Sequence, residues 1–154
     1  MTQLIHREGN IWTTEARAIG QGVNLRGVMG SGIARQFKDY FPAMYEEYKA
    51  LCERGTFAPG DVHAWAVPAQ ESQPRKFIFN LSSQIEPGAN ASYKLLLHSV
   101  QRALKLADVM RLETLALPRI GSGIGGLDEK KVEGILDALA QSYKTDIELW
   151  TYKA

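Results

Sequence analysis

The sequence has little cysteine and no long hydrophobic run, and both absences narrow the possible functions. Cys52 is the one cysteine among 154 residues, so no internal disulfide can form, as is typical of proteins from a reducing compartment. No apolar stretch approaches the roughly 20 residues that span a membrane. Residues 1–7 also lack the apolar segment of a signal peptide. We therefore expect a cytoplasmic protein without a membrane partner.

The chain also lacks an excess of charge of either sign. Its 18 Lys and Arg residues are balanced by 17 Asp and Glu residues, and the two kinds are interspersed. There is no basic run of the kind that attracts duplex nucleic acid. The histidines His6, His63 and His98 do not cluster in the sequence, so we predict no metal site, no histidine-based catalysis and no cofactor. An anionic ligand would have to be held by a local arrangement of the chain.

The hydrophobic pattern alternates between strand and helix periods, and the length suits one domain over residues 1–154. Helices are indicated after residue 32, from Pro42 to Gly55, over residues 93–106 and after Asp128. Strands are indicated over residues 4–8, 16–23, 61–68, 76–81, 114–118 and 147–152. This order predicts an α/β sandwich with a largely parallel central sheet.

A glycine-rich loop over residues 121–126, with the sequence GSGIGG, joins the strand at 114–118 to the last helix. Glycines let backbone N–H groups approach a ligand closely, and the helix that follows directs its positive dipole end to the same place. A phosphate or diphosphate is the expected guest. The loop formally matches G-x-G-x-x-G, but too little chain follows to build a Rossmann unit, and the Lys-Ser or Lys-Thr of a P-loop is missing. A simple tight turn stays the alternative.

A second glycine cluster over residues 27–32, GVMGSG, also runs from a strand into a helix. Loops at the carboxyl ends of parallel strands share one edge of a sheet, so the two clusters can face each other across a crevice. We expect them to hold a diphosphate from both sides. Arg26 either adds positive charge there or is a solvated arginine.

Four groups of residues resemble those of the macrodomain family, which binds ADP-ribose. They are Gly9-Asn10-Ile11; Asn24 with Gly27-Val28-Met29-Gly30-Ser31-Gly32-Ile33-Ala34; Leu117-Pro118-Arg119-Ile120-Gly121-Ser122-Gly123 with Gly125-Gly126-Leu127; and Tyr152. Phe41-Pro42 with Tyr45 and Tyr48 extends the second group. The resemblance is to the subgroup that contains terminal ADP-ribose glycohydrolases and antitoxin macrodomains.

The resemblance implies a three-layer α/β/α sandwich with a mixed, largely parallel sheet of about six strands. It implies ADP-ribose as ligand, with ADP-ribosylated protein as partner and nucleic acid only if it is ADP-ribosylated. We expect a monomer. The implied ligand-binding residues are Asn10, Ile11, Gly27, Val28, Met29, Gly30, Ser31, Gly32, Ile33, Arg119, Gly121, Ser122, Gly123, Ile124, Gly125, Gly126, Leu127 and Tyr152.

The sequence departs from this subgroup where its lysine-dependent enzymes keep their catalytic groups. Those enzymes have a lysine in the loop after the strand at 76–81, but residues 80–84 read NLSSQ. The aspartate that some members have in the second glycine loop corresponds to Gly125. A covalent mechanism through a lysine Schiff base is therefore not supported. The asparagine-rich motif of another hydrolase subgroup is matched only by Asn24.

Hydrolysis remains possible through a water molecule held by the loops and polarised by the diphosphate of the substrate. Asn24 and Gln84 either orient that water or the distal ribose, or serve as loop-capping amides. Asp128 is a candidate general base, and its alternative role is to cap the last helix. We therefore predict a hydrolase of ADP-ribosyl esters of Glu or Asp. A non-catalytic ADP-ribose reader and an ADP-ribose 1″-phosphate phosphatase are the alternatives.

Overall fold

The computed structural model describes residues 4–119 and 126–153. The strands are β1 (Leu4–Glu8), β2 (Ala18–Val23), β3 (Val62–Ala66), β4 (Phe77–Ser82), β5 (Thr114–Pro118) and β6 (Asp146–Thr151). The helices are α1 (Gly32–Tyr40), α2 (Pro42–Arg54), α3 (Tyr93–Met110) and α4 (Glu129–Ser142), with a short 3-10 helix at Ile11–Thr13. Each predicted strand and helix is present, although β2 begins two residues later than expected, β3 is three residues shorter and α3 runs four residues further.

The strands form one six-stranded sheet in the order β1-β6-β5-β2-β4-β3. All neighbouring strands are parallel except β3, which is antiparallel to β4. The predicted mixed, largely parallel sheet is therefore confirmed. The antiparallel strand lies at the edge, where the chain returns directly from β3 to β4 without a crossover helix.

Two apolar clusters cover the two faces of the sheet and define the three layers. On one face, α3 and α4 pack on strand residues such as Phe79, Leu117 and Leu149. On the other face, α1 and α2 bring Phe37 and Tyr48 onto strand residues of the opposite alternation. Alternate residues of one strand enter different clusters because successive side chains of a strand point to opposite faces.

Proline and glycine set the ends of the first two helices, as the sequence predicts. Pro42 occupies the first position of α2, where its missing N–H is not needed. Gly55 ends that helix in the left-handed conformation with a φ of 70°. The 3-10 helix was not predicted. It forms because the Asn10 side chain accepts a hydrogen bond of 2.9 Å from the Trp12 N–H.

Two properties of the described residues bear on membranes and metals. No helix within residues 4–119 and 126–153 is both long and apolar enough to cross a bilayer. Across the same residues, no three His, Cys, Asp or Glu side chains are grouped so that they can hold a metal ion.

Candidate functional site

Strands β2 and β5 are neighbours in the sheet, and the connections that follow them lead to opposite edges of the sheet. After β2 the chain passes through α1 and α2 to the β3 edge, whereas after β5 it passes through α4 to β6. Ladder pairing between the two strands is limited to Ala18↔Leu115 and Ile19↔Ala116. No further ladder pair joins β2 to β5. A ligand crevice is expected where the connections diverge in this way, outside the carboxyl ends of the strands.

A cavity of about 390 Å³ lies at this edge of the sheet, within the size range of small-molecule sites. It is lined by Gly9, Asn10, Ile11, Gly32, Ile33, Gln36, Pro118, Arg119, Trp150 and Tyr152. Six of the predicted ligand residues are therefore brought together: Asn10, Ile11, Gly32, Ile33, Arg119 and Tyr152. Gln36 and Trp150 line the cavity but were not among the predicted ligand residues. Gln36 lies four residues after Gly32, on the same side of α1, and Trp150 lies two residues before Tyr152, on the same side of the chain. These spacings were the signals that could have identified them.

The wall of the cavity is fixed by polar contacts behind it. Arg119 forms an ion pair with Glu133 of α4 and donates from Nε to Thr151 Oγ1 at 3.1 Å. The hydrogen bond from Arg119 holds the pKa of the Glu133 carboxyl below its ordinary value. Arg119 therefore lines the cavity with its positive charge already balanced, and its planar group is held in place.

Trp150 is held in a similar way by a buried carboxylate. The Glu148 side chain accepts hydrogen bonds from Trp150 Nε1 at 3.0 Å and Thr14 Oγ1 at 2.6 Å. Arg7 Nε approaches its second oxygen at 3.4 Å. Only 8% of Trp150 is exposed, and its ring forms part of the cavity wall. Tyr152, 74% exposed, stands at the mouth.

Asn24 is buried and shapes the first glycine loop from inside. Its Nδ2 donates to the Val28 carbonyl at 2.8 Å, and its Oδ1 accepts from the N–H groups of Arg26 and Val28. The Tyr48 hydroxyl also donates to Oδ1, at 3.0 Å. Burial raises the pKa of that hydroxyl, so the hydroxyl keeps its proton and remains a hydrogen-bond donor. The structure shows these loop-capping contacts. The alternative role of Asn24, orienting the distal ribose or a water, stays a prediction.

The glycines of the first loop allow it to lie on α2 and to enter α1. Gly27 has a φ of +75°, and an added Cβ would lie 3.3 Å from Lys49 Cγ. Gly32 has a φ of +59° and begins α1. Ser31 holds the N-cap position, but its side chain makes no capping hydrogen bond. The first-turn N–H groups of α1 are thus not covered by a side-chain cap, which is the arrangement that favours an anion.

The other predicted residues of this loop are not equivalent. Val28, Gly30 and Ser31 are exposed. Met29 is only 2% exposed, and its side chain packs in the core beneath α1 and α2. The side chain of Met29 is therefore not available to a ligand. Its predicted role is restricted to its backbone, because the alternation of the loop directs the side chain inward.

The loop over residues 84–90 follows β4 and is bonded to the chain at the end of β2. The Leu25 N–H donates to the Ile85 carbonyl at 3.0 Å, and Arg26 forms an ion pair with Glu86. The hydrogen bond from Arg26 lowers the pKa of Glu86. Arg26 is exposed and its charge is paired with that of Glu86, which agrees with the solvated alternative. Gln84 Nε2 donates to the carbonyls of Glu86 and Gly88, which is the loop-capping role.

The second glycine loop is described only in part. Gly121, Ser122, Gly123, Ile124 and Gly125 lie outside the described residues, so their predicted role stays a prediction. Gly126 has a φ of +79°, and an added Cβ there would lie 3.2 Å from the Ala89 Cβ, which places the end of this loop against residues 84–90. Leu127 is half-buried and packs on the core beneath α3 and α4.

Asp128 occupies the N-cap position of α4, as predicted, but its side chain makes no capping hydrogen bond. Its backbone is engaged instead, since its N–H donates to the Tyr93 hydroxyl at 3.0 Å and its carbonyl accepts from the Val132 N–H. The expectation that the carboxylate caps the helix is therefore wrong. The carboxylate is exposed, and its role as a general base stays a prediction.

Known proteins resemble this chain along most of its length. It is 30% identical to a DNA ADP-ribosyl glycohydrolase of Thermus aquaticus over 94% of this chain and 39% of that protein. The chain thus spans about two fifths of the length of that relative. The macrodomain of Mycobacterium tuberculosis DarG superposes with a TM-score of 0.88 at 25% identity, covering 99% of this chain and 100% of that one.

A structure of Thermosipho africanus DarTG in complex with ADP-ribose shares the fold. Its TM-score is 0.87 at 18% identity, over 97% of this chain and 42% of that one. Residues 21–136, which include the first glycine loop and most of α4, match the Macro domain family. The fold, the crevice between β2 and β5 and this match agree, and the chain belongs to the macrodomain family.

Proposed function

We propose that the protein binds ADP-ribose in the crevice between β2 and β5 and hydrolyses an ADP-ribosyl linkage there. The main support is the first glycine loop, which follows β2 and leads into the N-terminus of α1, where no side chain caps the helix. Uncapped N–H groups at a helix start bind phosphate oxygens. In this arrangement the cavity beside Trp150 takes the adenosine end, and residues 84–90 lie at the distal ribose.

Two further observations support ADP-ribose as the ligand. The cavity wall combines apolar surface from Ile11, Ile33 and Trp150 with polar groups at its margin, as is usual in sites for nucleoside ligands. Relatives are named as DNA ADP-ribosyl glycohydrolases, and a structure of the same fold is a complex with ADP-ribose.

The proposed reaction is a displacement at the anomeric carbon of the distal ribose. A water oxygen bonds to that carbon while the bond to the leaving atom breaks, and the bonding electron pair stays on the leaving atom. The water proton passes to a diphosphate oxygen and then to the leaving group. The products are ADP-ribose with a free hydroxyl and the unmodified acceptor. Backbone N–H groups of the loops stabilise the diphosphate and fix the water.

This mechanism places little demand on side chains, which suits the described residues. The amide groups of Asn24 and Gln84 hold their own loops, so they contribute mainly by fixing the shape of the site. Asp128 is the exposed carboxylate at the start of α4, and it is the alternative to the diphosphate oxygen as acceptor of the water proton. The acceptor is a Glu or Asp side chain, in line with the predicted ester substrate, or a DNA base, as the names of the relatives suggest.

A matched pair of glycine variants tests the binding part. Gly32→Val places a branched side chain at a φ of +59° at the start of α1, and we expect the Kd for ADP-ribose to rise at least about 100-fold, because both strain and steric conflict oppose binding. Gly134→Val is the control, because nothing lies within 4 Å of a Cβ added in α4. Calorimetry with ADP-ribose measures both. Equal affinities in the two variants would remove the first loop from the site.

A turnover measurement on the unaltered protein separates the hydrolase from its alternative. The second candidate function is a non-catalytic reader, favoured by the missing lysine and by the engaged amides of Asn24 and Gln84. Release of ADP-ribose is followed from a Glu-modified protein and from an ADP-ribosylated oligonucleotide. Release from either substrate supports the hydrolase. Tight binding with no release from both over long incubation supports the reader.

A further inference from the structure

Two amide side chains line the cavity, and one residue outside its wall, Trp12, holds both of them. Asn10 Oδ1 accepts a hydrogen bond of 2.9 Å from the Trp12 backbone N–H. Gln36 Oε1 accepts one of 2.7 Å from Trp12 Nε1. Trp12 itself does not line the cavity. It therefore acts on a bound molecule only through these two amides.

The chemistry of Trp12 fixes the direction in which each amide is turned. A backbone N–H and an indole N–H are donors and have no acceptor capacity. The amide atom that faces each of them is therefore the oxygen, and the NH2 group of each amide is turned away from Trp12. In the part of the chain that the structure describes, Asn10 Nδ2 and Gln36 Nε2 have no hydrogen-bond partner. We call these two NH2 groups the donor pair.

Hydrogen-bond acceptors are scarce in the rest of the cavity wall. No carboxylate is among the described residues that line it, and the guanidinium of Arg119 has only donors. The Asn10 carbonyl accepts from both the N–H and the Oγ1 of Thr13, and the Ile11 carbonyl accepts from the Thr14 N–H. The wall thus offers N–H groups to a ligand and little that can accept a proton from it.

Purine bases differ in the edge that they present to such a wall. Adenine has the acceptor N7 beside a donor, the amino group on C6, whereas a 6-oxopurine has two adjacent acceptors, N7 and O6. A donor that meets another donor leaves both without an acceptor, which costs binding free energy. The donor pair therefore matches both acceptors of a 6-oxopurine but only one of the two edge atoms of adenine.

We propose that the donor pair selects the base of the bound nucleotide, so that the cavity binds a 6-oxopurine at least as tightly as adenine. This proposal rests on the proposed function and names the class of base that the same site recognises. Asn10 and Gln36 contact the base, and Trp12 is a positioning residue that acts through them. The diphosphate stays on the first glycine loop and the N-terminus of α1.

The test compares two ligands that differ only in the base. They are ADP-ribose and its hypoxanthine analogue, inosine diphosphate ribose, and calorimetry gives the Kd of each. The quantity compared is the base ratio, which is the Kd of the hypoxanthine compound divided by the Kd of ADP-ribose. Both ligands carry the same diphosphate charge, so an effect of added charge on the phosphates cancels in this ratio.

Three variants are measured with both ligands. Gln36→Glu keeps an oxygen for Trp12 Nε1 and replaces the NH2 group by a second oxygen. Trp12→Phe removes the indole N–H and keeps a ring against Phe37 and Tyr40. Gln101→Glu adds the same charge at an exposed position of α3 and is the control. Unfolding curves establish that each variant folds.

We expect a base ratio at or below about one for the unaltered protein, and a rise of roughly tenfold in Gln36→Glu, whose carboxylate accepts from the amino group of adenine and repels O6. Trp12→Phe should raise the ratio several-fold, because the freed Gln36 amide can turn its oxygen to the base. The control should stay within about twofold of the unaltered protein.

Two kinds of result overturn the proposal. One is a base ratio above about two in the unaltered protein, which would mean that the cavity prefers the amino group of adenine. The other is an unchanged ratio in Gln36→Glu or in Trp12→Phe, since a purely structural role of either residue alters both Kd values alike. Failure of the unaltered protein to bind both compounds is a different result, which overturns the proposed function.

Discussion

The two faces of the central sheet are built from the same six strands but differ in what they bury. Toward α3 and α4, strands β4, β5 and β6 present only apolar side chains to the core, including Phe79, Leu117 and Leu149. Toward α1 and α2, the same alternation places polar groups among the apolar ones. Gln21 Nε2 donates to Asn80 Oδ1 at 3.0 Å, and Glu148 holds Trp150.

Four polar side chains of the second face form a connected path that runs from Gln21 through Asn80 and His63 to Glu47. Asn80 contacts His63 Nδ1 at 3.1 Å, and His63 Nε2 lies 2.9 Å from a carboxylate oxygen of Glu47 on α2. Buried polar groups are costly unless they are bonded, so a fold concentrates them where they fix a functional geometry. The difference indicates that the α3–α4 face supplies stability, whereas the α1–α2 face holds the crevice in shape.

The largest expected effect is a loss of stability when a side chain on the α3–α4 face of the sheet is replaced. Phe79→Ala leaves a cavity beneath α3, and we expect a loss of about 3–5 kcal/mol of unfolding free energy. The affinity of the folded protein for ADP-ribose should stay within about twofold. Urea unfolding and calorimetry at low temperature measure the two quantities. A tenfold loss of affinity would show that the two faces are not separate in function.

Replacing Glu148 is expected to lower the stability less than Phe79→Ala does and to weaken the binding of ADP-ribose more. Glu148→Leu leaves Trp150 Nε1 and Thr14 Oγ1 without their acceptor, so we expect a loss of about 1–3 kcal/mol and a several-fold weaker affinity for ADP-ribose. Glu148→Gln is the control, because it keeps an acceptor oxygen in place. If the leucine variant binds as the glutamine variant does, the carboxylate does not position the cavity wall.

The smallest effect is expected at Asp108, at the rim of the apolar face. Burial raises the pKa of Asp108, but hydrogen bonds from Thr145 Oγ1 and from the N–H groups of Lys144 and Thr145 outweigh it, so that the pKa is lowered on folding. A carboxyl with a depressed pKa in the folded state stabilises the protein above its unfolded pKa, near 4. This stability is lost as the pH falls through the folded pKa.

We therefore expect Asp108→Asn to lose about 1 kcal/mol near pH 7 and progressively less below about pH 4. Urea unfolding over a pH series measures the difference. Asp137→Asn, which alters a carboxylate on the surface of α4, is the control and should stay close to the unaltered protein. A difference that stays constant with pH would mean that the charge of Asp108 is not what stabilises the turn.

The sequence predicted most of the fold because hydrophobic period and punctuation agreed along the chain. Pro42 begins α2 and Gly55 ends it, as expected, and each strand that the sequence indicates is present. The 3-10 helix after Asn10 was missed because the Asn10 side chain creates it through a bond that has no periodic signature.

The site was predicted less completely, for a physical reason. Gly32 and Tyr152 were predicted correctly as lining the cavity. The sequence shows such positions because a glycine-rich turn and the position of a residue after a strand depend only on neighbouring residues. The partner of a polar side chain is not local. Arg26 pairs with Glu86, which lies 60 residues away in the sequence. The amides of Asn24 and Gln84 donate to backbone carbonyls, which every loop contains, so the sequence does not determine their roles.

The short pairing between β2 and β5 has a consequence for how this protein can evolve. Beyond Ile19 and Ala116 no ladder pair joins the two strands, so the loops that follow them are anchored on opposite sides of the gap. Insertions and substitutions in either loop can accumulate without breaking the sheet. Variation in these loops can thus change the crevice while the sheet is inherited unchanged.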